Sequence, residues 1–206
     1  MIAIAAGFQH NLALTSDGKV YAWGSNVNGQ IGDGGALTAR YTPVQLTYFS
    51  DNNVFAISAA GNNSFAAKDG GVWAWGSNSN WQLGNNSVSQ SNAPLQVSGL
   101  TEIVSVTAGN AHAVAMKGDG TVYAWGDNHY GQLGNGTLNS SFTPVQVSGL
   151  NDAVVIIAGN SFSLGLKPTG MLQTWGLNTS GQLGDGTLTQ RTTPVSASGF
   201  TVILPH

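Results

Sequence analysis

The side chains of this 206-residue chain best suited to proton transfer or metal ligation are His10 and His112, each set in Ala-Gly-x-x-His before a run of small and apolar residues. A metal site would want further histidines or converging carboxylates beside them. The matching places elsewhere read as Ser64 and Phe162. Both histidines are therefore expected to fill a recurring structural slot, and no metal is expected. Asp17, Asp69 and Asp119 each precede a glycine, where Asp is a turn former. Asp33 and Asp185 alternate with Asn85 and Asn135 at one recurring position. An amide cannot move a proton, so that exchange points to side-chain bonding to the backbone. Glu102 is the sole glutamate, and no carboxylate pair stands out as acid and base. Neither a Gly-x-Ser-x-Gly elbow nor a phosphate-cradling loop with lysine is present, and the absence of cysteine removes thiolate chemistry. No catalytic residue and no cofactor are expected.

These residues belong to a phrase written four times. Its tryptophan recurs at Trp23, Trp75, Trp125 and Trp175, in steps of 52, 50 and 50. Gln30, Gln82, Gln132 and Gln182 keep the same steps, and Pro43, Pro94, Pro144 and Pro194 step by 51, 50 and 50. A period near 50 belongs to propellers and arrays, whose units bury their apolar faces on neighbours. The chain reads as one repeat domain, 1–206, with repeats near 1–50, 51–100, 101–150 and 151–200 and a partial strand at 201–206.

Composition narrows the partners. Charged residues make up 7% of the chain, and its six Lys and Arg stand singly, which argues against nucleic acid and against a membrane-surface patch. No stretch is apolar for long enough to span a bilayer as a helix. With 41% hydrophobic residues, low charge does not mean disorder. It suggests sheets and turns wetted by amides and hydroxyls.

Each repeat parses into four strands. An apolar run ends in Ala-Gly, and a second, such as Ala113 to Met116, leads to Asp-Gly or Thr-Gly, a hairpin signal. A third run, such as Val122-Tyr123-Ala124-Trp125, is β-branched and aromatic, and alternation places its tyrosine and tryptophan on one face. The Pro-Val segment is a fourth, suited to an outer strand. Helical readings fail for want of a 3.6-residue period. The fold class is all-β: a β-propeller, or a propeller segment, of four roughly 50-residue, four-stranded blades.

The phrase Ala-Gly-x-x-His, then Asp-Gly-x-Val-Tyr-Ala-Trp-Gly-x-Asn-x-x-Gly-Gln-Leu-Gly, resembles the regulator of chromosome condensation repeat family across the whole chain. The resemblance implies a β-propeller, usually of seven blades, so four repeats leave three arrangements open: a segment of a longer propeller, a homodimer, or a smaller ring. Trp23, Trp75, Trp125, Trp175, the four glutamines, His10 and His112 are then structural repeat residues.

What differs among the repeats is where surface chemistry can differ. Trp81, His129 and Tyr130 stand out between Trp-Gly and Gln-Leu-Gly, and Arg40, Tyr41, Phe142 and Arg191 before the prolines. Aromatic and arginine side chains of this kind anchor protein interfaces. The chain is expected to be a non-catalytic protein–protein interaction module binding an unidentified protein through these rim loops. The amide-rich, charge-poor composition points to a bacterial protein at or outside the cell surface rather than in the cytoplasm. Two other readings come from the resemblance: a secreted inhibitor similar to propeller-type β-lactamase inhibitors, and a guanine-nucleotide exchange factor like the family's namesake.

Overall fold

The computed structural model describes residues 1–51, 53–87, 89–199 and 201–202. These form four separate antiparallel sheets of four strands each, every sheet in simple sequence order. Blade 1 holds β1 (Ala3–Ala6), β2 (His10–Leu14), β3 (Val20–Gly24) and β4 (Arg40–Gln45). Blade 2 holds β5 (Val54–Ala60), β6 (Asn63–Lys68), β7 (Gly71–Gly76) and β8 (Ser91–Gln96). Blade 3 holds β9 (Ile103–Ala108), β10 (His112–Lys117), β11 (Val122–Gly126) and β12 (Ser141–Gln146). Blade 4 holds β13 (Val155–Ala158), β14 (Phe162–Leu166), β15 (Leu172–Gly176) and β16 (Arg191–Ser196). The innermost strands pack in series, β1 on β5, β5 on β9 and β9 on β13. Among the described residues no comparable packing joins β13 back to β1.

Pro43, Pro94, Pro144 and Pro194 each lie in the outermost strand of their blade. In blade 1, Ala22 pairs with Val44 and Gly24 with Arg40, so one residue of β3, Trp23, faces three of β4, and the excess bulges out around Pro43. A proline there breaks no ladder bond, since the bulge asks for no N–H. The same irregularity recurs in the other blades.

The hairpins between second and third strands are of two kinds. In blade 2, Lys68 pairs with Gly71 around Asp69-Gly70, and both turn residues have positive φ, 51° and 73°. Elsewhere the loop is one residue longer: Lys117 N–H bonds to Thr121 C=O, and only Gly120 has positive φ. Dipeptide chemistry signals the turn in every repeat, but the extra residue selects the three-residue form with a glycine bulge.

The cores lie between blades. Leu12, Leu14, Val20, Ala22 and Ile31 of blade 1 meet Ala66 and Trp75 of blade 2. Phe65, Val72, Ala74 and Leu83 of blade 2 meet Ile103, Ala113 and Trp125 of blade 3. Val114, Met116, Val122 and Leu133 of blade 3 meet Ile156 and Trp175 of blade 4. After β4 a 3-10 turn, Thr47–Phe49, delivers Phe49 against Trp75 with ring centroids 5.9 Å apart. Phe49 fills the place that Leu100 and Leu150 take at the other two junctions. Thr201 and Val202 are not in a strand, although Val202 N–H bonds to Gly170 C=O as Ile103 N–H bonds to Gly70 C=O. The remainder of the expected partial strand, 203–206, lies outside the described residues.

Phe49 is fully buried, so Phe49→Ala is expected to cost about 3–5 kcal/mol of stability. Urea unfolding would show this as a lower midpoint with little change in slope.

Candidate functional site

The turn after the first strand and the loop after the third lie at one end of every blade. All seven rim candidates belong to that loop or to the start of the strand it feeds. The first turns of the blades meet at the centre of this end, around an open hollow of about 250 Å³ lined in part by Phe8, Gly61, Asn110, Gly159 and Asn160.

The loops are stiffened by amides. Asn26, Asn78, Asn128 and Asn178 are buried, and each accepts a hydrogen bond from the N–H five residues on, at 2.9–3.0 Å. Their side-chain N–H groups donate across the loop, Asn178 to Thr187 and Thr189 carbonyls, for example. Each of Gln30, Gln82, Gln132 and Gln182 accepts, through its side-chain oxygen, the N–H two residues earlier. A buried group satisfied within its own loop cannot be spared, because an orphaned polar atom costs on the order of 1–3 kcal/mol.

Gln30, Gln82 and Gln132 then offer their backbone carbonyls to the next blade. Trp75 Nε1–H donates to Gln30 C=O at 3.0 Å, Trp125 to Gln82 at 2.8 Å and Trp175 to Gln132 at 2.9 Å. The indoles lie over Gly32, Gly84 and Gly134, where a Cβ on Gly84 or Gly134 would sit 2.7 Å from the ring nitrogen. Only glycine leaves room, and its positive φ is the conformation glycine tolerates.

His10 and His112 seal the same junctions. His10 Nε2 lies 2.8 Å from Ser64 Oγ, and Ser64 donates to Gln30 C=O. His112 Nε2 lies 2.9 Å from Ser163 Oγ, and Ser163 donates to Gln132 C=O. Each hydroxyl spends its proton on the carbonyl, so it accepts from Nε2–H, which leaves Nδ1 bare, buried and without a partner. Burial accordingly lowers both imidazoles to about 4. The strand registers also correct one alignment. Opposite Gly24, Gly126 and Gly176 stand His10, His112 and Phe162, and opposite Gly76 stands Asn63 rather than Ser64. In blade 2 it is Ala60, not Gly61, that pairs with this residue, so matching the Ala-Gly pairs misplaces it by one. Ser64 is the histidine's partner from the neighbouring blade, not its counterpart.

The rim candidates divide by environment. Arg40 pairs with Asp33 at 2.6 Å and donates to Thr38 C=O, and Arg191 pairs with Asp185 at 2.6 Å. Thr187 first, and the Arg191 guanidinium after it, hold the Asp185 carboxyl below the usual carboxylate range against the opposing effect of burial. Where the carboxylate is Asn85 or Asn135, the arginine position is Ser91 or Ser141, a paired exchange visible once the repeats are aligned. All four residues of that series accept the backbone N–H two residues on, as the Asp/Asn exchange implies.

Trp81 stacks on Phe142 of the next blade, with ring centroids 3.9 Å apart and planes 25° from parallel. It stands at the place of Gly29 and Gly131 and holds a glycine-like φ of 63°, uncommon for so bulky a residue. Gly29 and Gly131 lie against Asn92 and Thr192, the counterparts of Phe142. His129 is exposed and bonds through Nδ1 to Asp127, whose other oxygen accepts from Gln132 Nε2. Tyr130 is partly exposed at the loop tip, and Tyr41, in blade 1, is almost wholly exposed. The structure thus brings Trp81 and Phe142 into contact but leaves Arg40 and Tyr41 on blade 1 and Arg191 on blade 4. Ser64, Ser163 and the four loop asparagines were not singled out by residue type. The asparagines were legible as part of the recurring phrase, whereas the serines lack any local signal.

A family profile described as "RCC1-like domain" matches residues 1–204. The chain is 33% identical over 123 residues to "RCC1 domain-containing protein RUG3, mitochondrial" of Arabidopsis thaliana, covering 55% of this chain and 27% of that protein. It superposes on human WBSCR16 with a TM-score of 0.87 at 28% identity, over 96% of this chain and 53% of that one. Prp20p of Saccharomyces cerevisiae, described with its binding to Gsp1p and histones, gives a TM-score of 0.79 at 27% identity, over 98% and 50%. The chain spans about half the length of these solved propellers and about a quarter of the Arabidopsis relative.

Two outcomes are expected. An imidazole whose folded pKa lies below its unfolded value contributes stability above about pH 6.5 and loses it as pH falls toward 4, on the order of 3 kcal/mol per buried group. The urea midpoint should fall over that window, and His112→Phe, the residue found in blade 4, should remove about half of the fall. In a double-mutant cycle, Trp81→Gly and Phe142→Asn should show a coupling of about 0.5–1.5 kcal/mol; additive effects would mean that the stack contributes nothing.

Proposed function

The chain belongs to the RCC1-like domain family, and from that premise we propose that it is a non-catalytic protein–protein interaction module, binding a partner protein through the variable loops of one rim. One observation carries the reading: residues constant across the blades are consumed internally, while the large side chains that vary are presented outward at a single end. The indoles of Trp75, Trp125 and Trp175, the loop asparagines and the imidazoles of His10 and His112 are buried, whereas His129, Tyr130, Phe142 and Tyr41 reach solvent. Rigid loops presenting aromatics suit binding, because little side-chain freedom is lost on contact.

The proposed centre is Tyr130, His129 and Phe142, with Trp81 bracing Phe142 from behind. Arg40, Tyr41 and Arg191 extend the rim to the outer blades, and the two arginines also hold their own loops through Asp33 and Asp185. The described binding of Prp20p to Gsp1p and histones supports a protein partner for this kind of surface. Exchange activity on a small GTPase and inhibition of a secreted enzyme are narrower forms of the same reading.

Joint replacement of Tyr130 and His129 by alanine should lower capture of the partner from cell extract by about tenfold or more, with the urea midpoint unchanged. Unchanged capture by a folded variant that also lacks Tyr41, Phe142, Trp81 and both arginines would defeat the rim assignment. Nucleotide release from a small GTPase, and inhibition of a β-lactamase panel, would identify the two narrower forms.

A further inference from the structure

The chain contains two Asn-Gly pairs, Asn28-Gly29 and Asn135-Gly136. In such a pair the glycine nitrogen can attack the asparagine side-chain carbon, because no side chain on the second residue crowds the five-membered ring that forms. The fold treats the two pairs differently. Asn135 Oδ1 accepts three hydrogen bonds, from Thr137 N–H at 3.1 Å, Thr137 Oγ1 at 2.9 Å and Asn128 Nδ2 at 3.3 Å. Its own Nδ2 donates to no acceptor among the described residues. Three donors on the oxygen draw electrons from Cγ and stand where negative charge gathers when that carbon is attacked. The nitrogen that would leave is held by none of these bonds.

The bond from Thr137 N–H closes a small ring that includes Asn135 Cγ and Gly136 N, a turn that folds the carbon back toward that nitrogen. Gly136 is exposed, and a Cβ built on it would have only Thr193 Cγ2 nearby, 3.8 Å away, so the site has room for the ring. One restraint remains: Gly136 N–H donates to Thr192 C=O of blade 4 at 2.8 Å, and this bond must open before the nitrogen can react. Asn28 lacks these features. No donor reaches its side-chain oxygen among the described residues, and Gly29 is buried, with Ser91 C=O 2.5 Å from where its Cβ would stand.

We propose that Asn135 is a self-modifying site, converted to an acidic residue without an enzyme. Gly136 N loses its proton to water or hydroxide and bonds to Cγ, the Cγ–Nδ2 bond breaks, and the side-chain nitrogen leaves as ammonia. Water then opens the imide, at Cγ to leave aspartate or at the main-chain carbonyl to leave isoaspartate, and nothing is oxidised or reduced. The aspartate product already has a place in this fold. Asp185 stands at the same position of blade 4 and accepts the same three bonds, from Thr187 N–H, Thr187 Oγ1 and Asn178 Nδ2, at 2.8–3.1 Å. Asp33 and Asp185 are each paired with an arginine, but Ser141 stands in that arginine's position in blade 3. Conversion therefore puts a negative charge, without its arginine, on the rim loop of blade 3.

The folded chain, incubated in mildly alkaline buffer, should gain an acidic form on isoelectric focusing. Peptide mapping by mass spectrometry should place the amide-to-acid exchange at Asn135, about tenfold or more faster than at Asn28. Unfolding in urea should bring the two rates together, since both pairs then differ little. Gly136→Asn copies the Asn85-Asn86 pair of blade 2, and the backbone accepts it, since Asn86 adopts φ 60° where Gly136 has 83°. This variant should slow the exchange by about tenfold or more, because its side chain hinders the approach to Cγ. Thr137→Val removes one of the three donors and should slow it by roughly threefold or more. Urea midpoints confirm that both variants fold. An Asn135 that stays an amide in the folded chain overturns the proposal. So does exchange at Asn28 as fast as at Asn135 in the folded chain, or exchange undiminished in Gly136→Asn. The readout is covalent and needs no partner, so it stands apart from the fate of the rim assignment.

Discussion

The hydrogen bond from the indole of Trp75, Trp125 or Trp175 to the carbonyl of the blade before it is the contact on which the rest depends. It requires a glycine under the ring, a loop rigid enough to hold the carbonyl still, and a strand whose tryptophan points toward the preceding blade. The Gly-Gln-Leu-Gly phrase meets the first two demands, with the glutamine side chain pinning its own loop while the backbone oxygen faces outward. Alternation along the third strand meets the last. A blade alone could bury neither its tryptophan nor its leucines, so fold and array are one event.

Low charge follows from this arrangement. The junctions enclose carbonyls, hydroxyls, amides and two imidazoles, and a neutral group in such a place needs only hydrogen-bond partners. A charged one would need a counter-ion sealed in with it. The imidazoles accept the compromise of a bare Nδ1 and remain neutral. Ion pairs are kept to the loops, where Asp33 with Arg40 and Asp185 with Arg191 do what Asn and Ser do in the middle blades.

Equivalent slots tolerate different occupants because each slot's energy is local to one junction or one loop. Histidine, asparagine and phenylalanine share one place, and glycine and tryptophan share another. Trp81 is the instructive case, a large ring in a glycine conformation, held where Phe142 has replaced a polar counterpart. Such local freedom lets a surface diversify while the frame stays constant, and a shared frame by itself leaves the partner unspecified.

By itself the sequence determined the period, the four-stranded unit and the outer position of the prolines that recur with it. These rest on short-range patterns: alternation within a strand, glycine at turns, and residue types that recur in step. Tertiary structure alone decided who meets whom across a junction: that Ser64 answers His10, that Asn63 stands in the histidine slot, that Phe49 fills a leucine's place, and that Trp81 finds Phe142. Those facts depend on register and on the approach of separate blades, and a difference of one residue in a turn, invisible to the repeat pattern, is enough to change them.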